Sequence, residues 1–134
     1  MNDYDDRASS VKIGDIYYPL IITTKATKEI AKRYGGLESL GDRLLKADNF
    51  EEALGEVVWL IALLANQAIL IHNYQNRDNQ KGQKQLLTED EIELMTTPSD
   101  MISFKAAITE AMLKGTKRNI ESEDDSEGKN SEGA

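Results

Sequence analysis

Cysteine is absent from this 134-residue chain, and His72 is its only histidine. Without thiols the chain can form no disulfide, thiolate zinc site, Fe–S cluster or cysteine nucleophile, and a single imidazole removes paired-histidine zinc sites as well. Neither a cofactor nor a metal is expected on that basis. Proline and phenylalanine each occur twice and tryptophan once, so a core must be built mainly from aliphatic side chains. Cations are also in short supply: 16 Lys and Arg face 24 Asp and Glu, a net charge of −8. A surface of that sign repels phosphate backbones and anionic headgroups, so neither a nucleic acid nor a membrane is the expected partner. The length suits one domain with one core, and the missing thiols suit a reducing cytosol.

The charge is unevenly placed. Residues 1–10 carry net −2 and residues 116–134 net −3, which leaves −3 for the residues between them. Beyond Arg118 the only large apolar residue is Ile120, too little to offset the entropy of ordering, so 116–134 is expected to be a disordered acidic tail. Residues 1–10 are expected to be flexible. Their sequence, MNDYDDRASS, has no charged segment leading into an apolar stretch and does not read as a signal peptide.

Between these ends the pattern predicts a mainly α domain over 11–115. Val11–Ile13 and Ile16–Ile22 are β-branched and aromatic runs separated by Gly14-Asp15, the glycine-first pair of a two-residue type II′ hairpin turn. Pro19 cannot donate to a ladder, which places its strand at an edge or a bulge. A first helix is expected from about Lys25 to Tyr34, capped by Thr23 or Thr24 and stopped by Gly35-Gly36. Leu37, Leu40, Leu44 and Leu45 fall on one face of a second helix. Asn49 is placed to cap a third, in which VVWLIALLANQAILI from Val57 to Ile71 is interrupted only by Asn66 and Gln67. A membrane span needs roughly 18 or more consecutive apolar residues, so a central core helix wrapped by the others is expected.

A polar loop follows from Asn73 to Gln85, and Thr88-Glu89-Asp90-Glu91 then makes a capping box, with Leu87 and Ile92 placed as a hydrophobic staple. Thr97-Pro98 reads as cap and first position of a last helix, whose Met101, Phe104, Ile108 and Met112 repeat at helical spacing and which Gly115 should end. The expected architecture is an N-terminal β-hairpin on a bundle of about five helices around the central apolar one.

Candidate chemistry is sparse. His72 has no acid at helical spacing and reads as a helix-end histidine favoured by the dipole. Glu123, Asp125 and Glu127 before Gly128 resemble the opening of a calcium loop, but the required closing glutamate is replaced by Ala134. Trp59 reads as core. Flexible thioethers such as Met95, Met101 and Met112 fill cores and also line grooves for partner helices. No residues pair as acid and base or as nucleophile and base, so no enzymatic activity is expected.

Several segments taken in order carry a resemblance: the hairpin running into Thr23-Thr24-Lys25-Ala26, the helix stop Tyr34-Gly35-Gly36-Leu37-Glu38, the long apolar helix ending in Ala68-Ile69, and the helix starts at Leu87-Thr88-Glu89-Asp90-Glu91 and Pro98-Ser99-Asp100. Together they resemble the tail assembly chaperones of long-tailed bacteriophages of Gram-positive bacteria, over roughly residues 11–115. That resemblance implies a protein of the host cytoplasm, absent from the mature virion, which coats the tape-measure protein and recruits tail-tube subunits, with self-association open to it. It further implies a groove for a partner helix, expected here at Met101, Phe104, Ile108 and Met112. Such families commonly make a longer product by programmed frameshifting near the gene end, and Gly128-Lys129-Asn130 is compatible with a slippery A AAA AAC heptamer. Two alternatives stand beside it: a structural minor tail or tail-completion protein of the virion, and a helical adaptor unrelated to phage.

Overall fold

The computed structural model describes residues 8–46 and 50–115. An antiparallel hairpin, β1 (Ala8–Ile13) and β2 (Ile16–Ile21), leads into α1 (Thr24–Tyr34), α2 (Leu37–Lys46), α3 (Phe50–Gln75), α4 (Glu89–Leu94) and α5 (100–115). The protein is thus mainly helical, with an N-terminal two-stranded hairpin and five helices among the described residues. The expected tail 116–134, the Asn49 cap and the acidic calcium-like run lie outside the described residues.

Gly14 has φ +63°, while no non-glycine residue has positive φ among the described residues. Asp15 is therefore excluded from a type I′ turn, and the two-residue loop is type II′ as its sequence implies. β1 begins at Ala8, three residues before the expected start and inside the segment expected to be flexible. The reason is Ser9, which is buried and donates its hydroxyl to the Ala107 carbonyl of α5 at 2.6 Å. A serine that reads as a polar leader is a core strand residue because a helix carbonyl satisfies it. Ser9, Val11 and Ile13 bury one face of β1, with Ser10 and Lys12 exposed between them, the period-two alternation of a half-buried strand.

Thr23 caps α1, its hydroxyl accepting the Ala26 N–H at 3.0 Å and donating to Gln67 Oε1 of α3 at 2.6 Å. Gly35, at φ +89°, closes the helix by donating to the Ala31 carbonyl. α3 spans 26 residues, roughly 39 Å at 1.5 Å per residue. Leu60, Ile61 and Leu64 on it are fully buried, with Leu20, Ile30, Leu40 and Ile108 in the same core. The wrapping expected around this helix is confined to its middle, where the buried residues run from Glu56 to Gln67. Half of its most apolar window is buried, and Ala68, Ile69, Leu70 and Ile71 are all half-covered.

At α4 the capping box forms in full: Thr88 Oγ1 accepts the Glu91 N–H at 3.1 Å and Glu91 Oε1 accepts the Thr88 N–H at 3.3 Å. Leu87 and Ile92 are both buried beside it. α5 starts two residues later than its Pro98 suggests. Asp100 accepts the Thr97 N–H at 2.8 Å, while Asp100 and Met101 donate back to Thr97 and Pro98 at i→i+3 spacing. This tight turn holds Pro98 ahead of the regular helix.

Candidate partner-binding groove

The uncovered part of α3 forms the floor of a groove of about 500 Å³. Half-covered Ala68, Ile69 and His72 line the floor beside the fully buried Ala65, with Ile16, Tyr17, Tyr18 and Pro19 of β2 as one wall and Lys84 and Gln85 as the other. Ile16 and Tyr17 are 57% and 69% exposed and leave apolar surface at the rim of the groove. Lys12 Nζ lies 5.8 Å from the centre of the Tyr17 ring.

The second wall is stitched to α3 by neutral amides. Asn73 Oδ1 accepts the Lys84 N–H at 2.8 Å and its Nδ2 donates to the Lys84 carbonyl at 2.9 Å. Asn66 holds Leu87 the same way, at 2.8 and 2.9 Å. The two asparagines sit seven residues apart, roughly 10 Å along a helix axis, and the three residues from Lys84 to Leu87 span about the same length when extended. Spacing on the helix and spacing on the loop therefore match, and segment 83–88 forms a strap along α3. His72 Nε2 lies 2.8 Å from the Gly82 carbonyl, which can only accept, so that nitrogen carries the proton. Gln83 reaches back to the Asn76 carbonyl at 2.7 Å.

A second polar cluster ties α1 and α2 to α3. The buried Glu56 accepts from Arg33 Nε at 3.3 Å and from the Tyr34 hydroxyl, and Arg43 lies 4.0 Å away. The Arg33 guanidinium lies 4.3 Å from the centre of the Trp59 ring, and Tyr34 meets Trp59 edge-on at 6.0 Å. Burial, followed by the bond to Glu56, pushes the Tyr34 phenol far above its ordinary value. The hydroxyl is the donor in its bond to the Glu56 carboxylate, which can only accept. Trp59, expected in the core, is half-buried under this cluster.

The four residues expected to form a groove lie elsewhere. Met101, Phe104 and Ile108 are buried, and Met112 packs half-buried against the same core. They are the inward stripe of α5, and Met101 reaches a recess of about 180 Å³ beside Leu54, Val58 and Pro98. The large exposed apolar residues of α5 are Ile102 and Leu113. The groove over α3 escaped the sequence reading because its lining comes from three distant segments. One signal was present: Asn66 and Asn73 recur at helical spacing in and just beyond an apolar run, opposite a polar loop that needs backbone partners. Among the described residues no cluster of three metal-ligating side chains occurs. Comparison with protein-family models, with curated proteins and with solved structures finds no significant match to this chain.

Proposed function

We propose that this protein is a phage tail assembly chaperone that binds the tape-measure protein in the host cytoplasm, keeps it soluble and brings tail-tube subunits to it, without entering the mature virion. The observation that carries the reading is the groove over α3: an apolar helix left half-covered, beside exposed Ile16 and Tyr17. A protein that shields an extended, self-associating helical partner needs such a surface held open in advance, because a preformed site saves the cost of ordering it on binding. The net charge of −8 supports the same role by keeping a covered complex apart from its copies. The order of hairpin, apolar helix and capped helices supports the resemblance on which the name of the partner rests.

Co-expression with the tape-measure protein encoded nearby tests the reading. Stable co-purification and a larger soluble fraction of tape measure are expected. Failure of both, together with detection of this protein in purified virions, would overturn it in favour of a structural tail component.

A further inference from the structure

The groove has three properties that bear on what fills it. The first concerns β2. The two-residue turn makes Ile13 and Ile16 a hydrogen-bonded pair, so in the register that sets Ser10 opposite Pro19 the Pro19 nitrogen faces away from β1. That nitrogen has no proton, so the outer edge of β2 lacks a donor where an added strand would need one. A strand is therefore a poor occupant. The second property is the floor, where Ala65, Ala68, Ile69 and His72 follow the i, i+3, i+4, i+7 ridge of a helix. Ala65 is fully buried at one end of this ridge, and the half-covered Ala68 leaves low relief over which a second helix can pack at about 8–10 Å between axes. The third is charge. None of the lining residues is acidic in a chain of net −8, while Lys84 stands on one wall and Lys12 stands over Tyr17 at the other.

We propose that the groove seats an amphipathic helix of the partner, lying along α3, with small and aliphatic residues on Ala68 and Ile69 and with acidic side chains on both flanks, one meeting Lys12 and the other Lys84. The partner's identity as the tape-measure protein rests on the chaperone reading; its shape and charge rest on the groove.

Two alanine-rich helical peptides sharing one leucine stripe, one flanked by glutamates and the other by lysines, are titrated into the full chain at low salt and followed by amide NMR. The glutamate peptide is expected to bind about tenfold tighter, the effect of two partly exposed charge pairs. The largest shifts are expected at Tyr17, Tyr18, Ala68 and Ile69. The Lys12→Glu/Lys84→Glu double variant, which changes only surface side chains, should reverse the preference. Equal affinities, no binding of either peptide, or shifts centred on Ile102 and Leu113 would overturn the proposal. Capture of full-length tape measure by the same variant separates the two ideas. Unchanged capture removes the groove and leaves the chaperone reading, whereas no capture by the wild-type chain with the peptide preference intact removes the reading and leaves the groove.

Discussion

Replacing Asn66 with alanine removes one side chain and two hydrogen bonds, those to the N–H and the carbonyl of Leu87 at 2.8 and 2.9 Å. Both groups belong to a residue that is itself buried, so water has poor access to replace what is lost. At about 1 kcal/mol for each bond, plus part of the penalty for stranding a buried polar group, the expected cost is about 2–3 kcal/mol. Asn73→Ala removes the same pair of bonds from Lys84, but that pair is exposed and water takes over, so its cost should stay below about 1 kcal/mol. Urea unfolding followed by the single tryptophan, Trp59, reads both. With a slope of about 1–3 kcal/mol per molar, the first variant should lower the midpoint by about 1–2 M and the second by much less. Hydrogen exchange adds a local readout, in which the Leu87 amide loses protection in Asn66→Ala alone. Equal costs for the two variants would refute the reasoning, because burial is the only difference it invokes.

Thr88→Ala should cost about 1 kcal/mol by opening the α4 capping box, and Glu91→Ala less, both read as midpoint shifts in the same unfolding experiment. Leu64→Ala, at a fully buried position of α3, should cost about 2–5 kcal/mol, and a value under 1 kcal/mol would mean that the helix is not the core. Tyr34 should ionise well above the ordinary tyrosine value in an absorbance titration at 295 nm, and Glu56→Gln should bring it back toward that value. Because the folded state raises this pKa, its contribution to stability is fully present below about pH 10, the ordinary tyrosine value. That contribution is lost as the pH rises toward the folded value.

Local signals were legible wherever one short segment supplied both partners of an interaction. Gly14-Asp15 dictated its turn, Thr23 and Gly35 bracketed α1, and Thr88 with Glu91 announced α4, because cap and turn chemistry is contained within four residues. Ser9 was missed because its partner, the Ala107 carbonyl, is 98 residues away. Glu56 was missed for the same reason: its value as a buried acceptor depends on Arg33 and Tyr34 arriving from another helix. The α5 stripe was read correctly as periodic, but periodicity alone cannot tell a core-facing ridge from a partner-facing one. The distinction came from packing against β1 and α3, and it moved the candidate site from Met101, Phe104, Ile108 and Met112 to the groove beside the C-terminal half of α3.

The strap over α3 is held by carboxamides, whose hydrogen bonds carry no net charge. The hold of these amides on the groove wall is thus insensitive to ionic strength, while the lysines on its rim are screened within about 10 Å at 0.1 M salt. Grip and shape answer to different variables, so the hold on a charged partner can be loosened by ions in the medium without deforming the seat to which that partner returns.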